Sequence, residues 1–94
     1  MRLFKSVDEK LADIGFEKIA DDEYYVAYKR EDPEECFTQR LDIICKAKGR
    51  HLVQSYDVDL YDADNIGNVC VGLTARETKL ALKKMSQKGW RRYG

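Results

Sequence analysis

The amino-acid sequence predicts an α+β fold, a single antiparallel sheet of three to five strands bracketed by an N-terminal and a C-terminal helix. Two capping boxes, at residues 6–9 and 74–77, mark helix starts close to the two ends. Between them, apolar and polar residues alternate in several short segments, which is the pattern of half-buried strands. Because such a sheet buries one apolar face, we expect both helices to pack on the same face.

Length and composition predict one globular domain over residues 1–94. Charged residues make up 36% of the chain and hydrophobic ones 44%, which is too apolar for a disordered segment and too charged for a membrane protein. Residues 1–10 lack the hydrophobic stretch of a signal peptide, so we expect a cytoplasmic protein that engages no membrane. Three cysteines without a C-x-x-C pair favour reduced thiols over a disulfide or zinc framework.

The first helix is predicted over residues 7–14. Val7, Leu11 and Ile14 recur at helical spacing, which gives this helix one apolar side. Gly15 followed by Phe16 is typical of a helix stop in which glycine adopts a left-handed conformation. The chain is therefore expected to pass directly from this helix into strand-like sequence.

The middle of the chain predicts two hairpins. The strand candidates are residues 16–20, 23–30, 37–46 and 51–58, with a last short strand at 69–73. The segment 37–46 is the best candidate for a central strand, with Leu41 and Ile43 on one face and Arg40 and Asp42 on the other. Residues 21–22 and 46–50 are the predicted turns, and the polar residues 57–68 are predicted to form a long loop.

The last helix is predicted to begin at Ala75 and to stop at Gly89, with Trp90 folding onto Met85. At about 100° per residue, one side of this helix is assigned to the core. That side comprises Ala75, Thr78, Ala81, Leu82 and Met85. Leu80 points nearly opposite, so we expect it to be exposed among cations.

Charge is distributed unevenly, although the chain has 17 basic and 17 acidic residues. Residues 1–35 carry eleven acidic and six basic side chains, whereas residues 75–94 carry seven basic and one acidic. The two ends either lie side by side and neutralise each other, or form a dipolar surface that recruits a partner or permits self-association into a homo-oligomer.

The candidate partner-binding site is the outward side of the last helix and the tail behind it. Its residues are Arg76, Lys79, Leu80, Lys83, Lys84, Arg91 and Arg92. Glu77 has no basic residue three or four positions away, which leaves these cations without partners inside the helix. One interpretation is a docking face for an acidic protein or for nucleic acid, and the other is a solvated face with a single exposed leucine.

No complete motif for catalysis or metal binding occurs in the sequence. Asp57, Asp59, Asp62 and Asp64 could present oxygen ligands to calcium or magnesium, but only part of the EF-hand pattern is present. His51, the only histidine, has no partner by sequence and is expected to be structural or at the surface. There is no phosphate-binding loop or nucleophile elbow, so we expect neither an enzyme nor a cofactor.

A second binding surface could be formed by the tyrosines around the sheet. They are Tyr24, Tyr25, Tyr28, Tyr56 and Tyr61. Tyrosine rings stack on bases and anchor protein interfaces, but they are also ordinary strand residues. Which face of the sheet is uncovered does not follow from the pattern alone.

Three segments resemble small uncharacterised proteins of phages and mobile elements in Gram-positive bacteria. They are the stop at residues 15–16, the strand at 51–56 and the helix start at 73–80. The resemblance spans most of the chain and implies a compact α+β accessory protein of the kind that binds host or phage machinery. It assigns no functional residue.

The leading hypothesis is a small non-enzymatic binding protein, phage or prophage encoded, that occupies a surface of a host or phage protein as an inhibitor or regulator. The alternatives are a nucleic-acid-binding accessory protein that uses the basic helix and a divalent-metal-dependent enzyme that uses the loop from Asp57 to Asp64. The acidic first third of the chain can lie against the last helix and cover its cations. Whether it does so determines whether those cations are accessible to a partner.

Overall fold

The structure, a computed structural model, describes residues 5–32, 34, 37–62 and 69–90. Its helices and strands are α1 (Val7–Asp13), β1 (Glu17–Asp22), β2 (Tyr25–Asp32), β3 (Phe37–Ile44), β4 (Leu52–Asp57), α2 (Val58–Asp62) and α3 (Ala75–Gln87). Since α1 precedes the sheet and α3 follows it, the predicted α+β fold with one sheet between two helices is confirmed.

The four strands form one antiparallel sheet in the order β1-β2-β3-β4. β3 lies between β2 and β4, as predicted for a central strand, and Leu41 pairs with Tyr28 on one side and with Ser55 on the other. β1 is an edge strand whose register shifts between Lys18 and Ala20, which is a β-bulge. A short, charged and bulged edge strand resists pairing with another chain.

The hydrophobic core lies between one face of the sheet and the helices α1 and α3. Its buried side chains include Val26 and Tyr28 of β2, Leu41 and Ile43 of β3, Val7 and Leu11 of α1, and Leu80, Ala81 and Met85 of α3. Both helices therefore pack on the same face, as predicted. The opposite face carries Tyr25, Asp42 and Tyr56.

Both predicted capping boxes are present. The Ser6 hydroxyl accepts the backbone N–H of Glu9 at 3.1 Å, and the Thr74 hydroxyl accepts that of Glu77 at 3.1 Å. In each box the glutamate carboxylate accepts the backbone N–H of the capping residue in return. These bonds satisfy donors that a helix start leaves open, so α3 begins at the predicted residue.

Both helices also end in the predicted glycine stop. Gly15 has a φ of 96° and Gly89 a φ of 75°, which glycine adopts without the steric penalty of a Cβ. After Gly89, the backbone N–H of Trp90 donates to the carbonyl of Met85 at 3.2 Å, which is the closing bond of a Schellman motif. The start and the stop of each helix are thus determined locally.

The predicted inward side of α3 is correct for Ala81 and Met85, which are buried in the core, and wrong for the other residues assigned to it. Leu80 is 6% exposed and lies in the core, whereas Leu82, which the sequence assigned to the core, is 39% exposed. Ala75 and Thr78 are exposed as well. The helix is rotated about its axis so that Leu80, and not Leu82, faces the sheet.

Two buried charges explain this error. Glu77 is 4% exposed and Lys84 is 7% exposed, and both lie on the same side of α3 as Leu80. Charged residues are rarely buried unless they are paired, so a pattern-based assignment places them outward. Here the pairing partners belong to other elements of the fold, which a helical pattern does not include.

The connection after β4 differs from the predicted loop over residues 57–68. Residues 58–62 form the short helix α2. Oδ1 of Asp57 accepts the backbone N–H groups of Asp59 at 2.9 Å and of Leu60 at 3.2 Å, and so caps this helix. A helix this short has too few residues to show a helical pattern in the sequence.

Two further boundaries also shift. β1 runs on to Asp22, so the turn of the first hairpin falls at residues 23–24 and not at 21–22. In place of a last strand at 69–73, a single bridge pairs Cys70 with Tyr56. The chain then leaves the sheet edge and enters α3.

Candidate binding surface

The predicted site residues divide into an exposed and a buried group. Arg76, Lys79 and Lys83 are exposed, whereas Leu80 and Lys84 are buried. The other two, Arg91 and Arg92, lie outside the described residues. The structure therefore brings three of the predicted cations together at the surface and buries Lys84 and most of Leu80.

Lys84 is neutralised by Asp8 of α1. Oδ1 of Asp8 lies 3.1 Å from Nζ of Lys84 and accepts the hydroxyl of Tyr28 at 2.5 Å. Oδ2 of Asp8 accepts Nζ of Lys18 at 3.0 Å. Burial raises the pKa of Asp8, but these three donors outweigh burial and lower the pKa to about 2. Asp8 is therefore fully ionised at neutral pH.

The C-terminal end of α3 is neutralised in a similar way. Nζ of Lys88 lies 2.6 Å from Oδ1 of Asp21 and donates to the carbonyl of Asp22 at 2.7 Å. The hydrogen bond from Lys88, and next that from Lys18, lower the pKa of Asp21. The acidic first third of the chain thus lies against this end of α3, as expected if the two ends neutralise each other.

The N-terminal end of α3 is held by Arg30 of β2. Its Nη1 lies 2.9 Å from Oε2 of Glu77, and its Nη2 donates to Oε1 of Gln39 at 2.6 Å. The guanidinium also lies 4.2 Å from the centre of the Phe16 ring. Since Glu77 and Lys84 both face inward to their partners, the rotation of α3 is fixed, and Arg76, Lys79 and Lys83 must face outward.

Four cations meet at the surface between α1 and α3. Lys10 of α1 joins Arg76, Lys79 and Lys83 around a hollow of about 420 Å³, whose lining also includes Leu80. We call Lys10, Arg76, Lys79 and Lys83 the basic surface. Within the described part of the chain, none of these four side chains forms an ion pair or a hydrogen bond.

The four side chains of the basic surface share one chemistry. Lysine and arginine carry positive charge on N–H groups, so the hollow offers positive charge and hydrogen-bond donors. Four neighbouring like charges repel one another, and an acidic partner relieves that repulsion. The arrangement therefore suits recognition of a negatively charged surface.

Sequence reasoning missed Lys10 as a member of this surface. Lys10 is three residues from Asp13 and lies in the acidic third of the chain, where an unpaired cation is not expected. Its position beside Lys83 and Arg76 follows only from the packing of α1 against α3. The surplus of basic residues in the last helix was a signal for the other three members, but nothing local identifies Lys10.

The tyrosines around the sheet do not form one surface. Tyr28 is buried in the core. Tyr25 and Tyr56 lie on the opposite face, and both donate to Asp42, at 3.2 Å and 2.9 Å. The side chain of Tyr61 lies outside the described residues. Tyr25 and Tyr56 lie on different strands, so their shared carboxylate could not be predicted from the sequence.

Arg40 completes the cluster around Asp42. Its Nε donates to Oδ1 of Asp42 at 2.8 Å, and its guanidinium donates to the hydroxyl of Tyr25. Burial, followed by the hydrogen bond to Asp42, raises the pKa of Tyr56 to about 12. Tyr56 therefore stays protonated at neutral pH, and the four side chains stabilise the sheet by satisfying one another.

The candidate metal loop lies largely outside the described residues. Asp57 uses its carboxylate to cap α2, and Asp59 is exposed. Asp64 and the side chain of Asp62 are among the residues that the structure does not describe. Elsewhere in the chain, within the ranges described, no group of three or more His, Cys, Asp or Glu residues is placed to hold a metal ion.

His51 has a structural environment, as expected. Its Nδ1 accepts the backbone N–H of Lys46 at 3.0 Å, which closes the turn between β3 and β4. Its ring lies 5.6 Å from that of Trp90, centre to centre. The imidazole thus links this turn to the residue that ends α3.

Comparisons with protein-family models, with curated protein sequences and with solved structures found no match. The resemblance to small phage proteins therefore stays a prediction, and the functional argument rests on geometry. Across the described ranges, no helix combines the length and the apolar character needed to cross a membrane.

Proposed function

We propose that this protein is a small non-enzymatic binding protein that docks onto an acidic surface of a protein partner through the basic surface. One observation carries the proposal. Four cations share one surface and have no counter-charge among the described residues, although carboxylates neutralise Lys84 and Lys88 on the same helix. The docking face expected from the sequence is thereby revised: Lys10 is added, Lys84 is removed, and Leu80 contributes only a small exposed part to the lining of the hollow.

Lys84 and Lys88 are paired with carboxylates, whereas the basic surface has no partner among the described residues. This difference supports a role of the basic surface in binding a partner over a role in stabilising the fold. The chain has as many acidic as basic residues, so composition does not prevent further pairing. Exposed ion pairs contribute only about 0 to 1 kcal/mol to stability, so pairing the basic surface internally would stabilise the fold little. Charge complementarity across an interface instead raises the association rate and fixes orientation.

The charge balance favours a protein partner over nucleic acid. Domains that bind DNA or RNA usually carry a strong positive excess, whereas this chain has a formal net charge of +0 at pH 7. Binding of single strands also uses aromatic rings as stacking platforms, and the described lining of the hollow contains none. A patch of a few carboxylates on a protein matches four cations.

Photo-crosslinking followed by binding measurements tests the proposal. A photoreactive amino acid in place of Gln87, an exposed neutral residue one turn beyond Lys83, captures the partner in the cells that make the protein. The purified partner is then titrated with the double variant Lys79→Glu/Lys83→Glu. We expect affinity to fall at least about tenfold, and wild-type affinity to weaken as salt rises.

The matched control is Lys46→Glu/Lys48→Glu, which makes the same change in net charge at exposed positions of the turn after β3. We expect the control to keep wild-type affinity, and both double variants to keep the wild-type melting temperature. Equal losses in both variants would show that only overall charge matters. Crosslinks to DNA or RNA would replace the protein partner with nucleic acid, and either result contradicts the proposal.

A further inference from the structure

The hollow inside the basic surface has a definite direction. Four of its five described lining residues come from α3, at positions 76, 79, 80 and 83, and the fifth, Lys10, comes from α1. Positions spaced by three, four and seven residues lie along one side of a helix, so the hollow follows the α3 axis for about two turns, or about 10 Å. It is a groove between two helices.

We infer that this groove takes an acidic amphipathic helix of the protein partner, an inference that rests on the proposed function. The helix presents carboxylates to the cations and one apolar side chain to the lining at Leu80. The proposed function specifies only an acidic surface of the partner, whereas this inference specifies that the surface belongs to a helix.

Charge complementarity defines the sequence of that helix. Arg76, Lys79 and Lys83 lie along one wall of the groove, and Lys10 lies on the other. Carboxylates three to four residues apart on a helix are spaced like these cations, because both follow the same helical repeat. An acidic helix therefore matches several cations at once.

The apolar part of the groove indicates which kind of side chain the partner helix carries between its carboxylates. Leu80 is almost fully buried, yet it contributes to the lining between the charged side chains. The alkyl stems of lysine and arginine extend such an apolar surface while their charged ends stay in water. A leucine-sized side chain flanked by carboxylates therefore fits the lining of the groove better than a uniformly acidic segment does.

A helix suits the groove better than an extended strand. Strand addition needs open backbone N–H and C=O groups at a sheet edge, whereas the described lining consists of side chains on two helices. An extended segment also turns alternate side chains away from the groove. An amphipathic helix keeps residues three and four apart on the same side, which is the helix-in-groove mode of recognition.

Two synthetic peptides of the same composition test the inference. Each has about 15 residues and is stapled to hold a helix, since unstapled helices of this length are marginal in water. In the periodic peptide, glutamates at positions three and four apart surround one leucine, and in the scrambled peptide the same residues are spread around the helix. Titrations are followed by calorimetry and by NMR shifts of backbone amides.

We expect the periodic peptide to bind at least about tenfold more tightly than the scrambled one. The largest shifts should fall at Lys10, Lys79, Leu80 and Lys83. The variant Lys83→Glu should weaken binding of the periodic peptide about tenfold, whereas Lys46→Glu should not.

Equal binding of the two peptides, lost in Lys83→Glu, would overturn the helix inference while leaving the docking proposal intact. Shifts outside the groove, or no binding of the periodic peptide, would overturn the inference as well. Whether the basic surface docks onto an acidic protein is decided separately by the crosslinking measurement, so the two failures are distinguishable.

Discussion

Asp8 is the residue at which the two ends of the chain meet. It belongs to the first turn of α1 and binds Lys18 of β1, Tyr28 of β2 and Lys84 of α3. Three donors from three elements on one carboxylate hold these elements at fixed distances. Because an ionised carboxylate binds cations and hydrogen-bond donors more strongly than the protonated acid does, this junction depends on pH.

The variant Asp8→Asn should therefore destabilise the protein in a pH-dependent way. The pKa of Asp8 falls from 3.8 to about 2 on folding, so its contribution is complete above about pH 4 and is lost as the pH falls to about 2. Since a third of the side chain is exposed to solvent, we expect a loss of about 1 kcal/mol at neutral pH.

Urea unfolding of the wild type and of Asp8→Asn between pH 7 and pH 2 measures this contribution. The difference in unfolding free energy should shrink between pH 4 and pH 2, because both chains then carry an uncharged side chain at this position. Asp13→Asn, at an exposed carboxylate paired only with Lys5 in the described structure, is the control. A difference for Asp8→Asn that is independent of pH would contradict the assignment.

At the scale of single residues, the sequence predicts what is encoded locally. Ser6 and Thr74 act as caps and Gly89 as a stop because all their partners lie within a few positions in the chain. The burial of Glu77 could not be predicted in this way, since its counter-charge, Arg30, lies in β2. Neither could the cluster around Asp42, which joins three strands.

At the scale of elements, α3 shows that the bounds of a helix and its rotation are set by different interactions. Its first and last residues follow from caps at its two ends. Its rotation follows from Glu77 and Lys84, whose partners pull one side of the helix inward. The same rotation buries Leu80 and turns the basic surface outward, so the position of the candidate site depends on these two ion pairs.

This rotation predicts opposite outcomes for two leucines on the same helix. Leu80→Ala should cost about 2 to 5 kcal/mol of unfolding free energy, because it opens a cavity in the core. Leu82→Ala should change the unfolding free energy by less than about 1 kcal/mol, because that side chain is exposed. Both values are measured by urea unfolding at neutral pH.

Each leucine variant is the control for the other, since they make the same substitution on one helix. Similar losses for the two, or a larger loss for Leu82→Ala, would restore the rotation expected from the sequence and would place Leu80 at the surface. Circular dichroism of both folded variants should match the wild type, which shows that the comparison concerns packing and not helix formation.

The strands could be predicted because apolar and polar residues alternate regularly along them. The residues at which the strands end could not be predicted in this way. The faces of β3 follow from Leu41 and Ile43 alternating with Arg40 and Asp42, and the pairing of Ile43 with Val26 confirms the inward face. The limits of β1 depend on a bulge, and α2 depends on a single cap by Asp57. Such features have no repeating pattern that a sequence could display.

At the scale of the whole molecule, residues 88–90 connect the end of the described chain to its first hairpin. Nε1 of Trp90 donates to the carbonyl of Glu23 at 3.0 Å, and Lys88 pairs with Asp21. Both bonds join the end of α3 to the first hairpin. Part of the uneven charge along the sequence is thus used for internal pairing, whereas the charge of the basic surface has no partner among the described residues.

The contact of Trp90 with the first hairpin predicts unfolding in one step. Trp90 is the only tryptophan, so its fluorescence reports on the surroundings of this residue, whereas far-ultraviolet circular dichroism reports on all helices and strands. In urea the two signals should give the same midpoint, as in other small cooperative domains. An earlier fluorescence transition would show that α3 detaches before the sheet unfolds. Lys88→Ala should lower both midpoints together.

The order of the elements along the chain has a consequence for synthesis on the ribosome. Leu80, Ala81 and Met85 of α3 form part of the cover for the apolar face of the sheet, and the residues that attach α3 to the first hairpin extend to Trp90. While the strands emerge, Val26, Tyr28, Leu41 and Ile43 lack this cover and are open to chaperones or to neighbouring nascent chains. Folding is therefore completed only after residue 90 has left the exit tunnel.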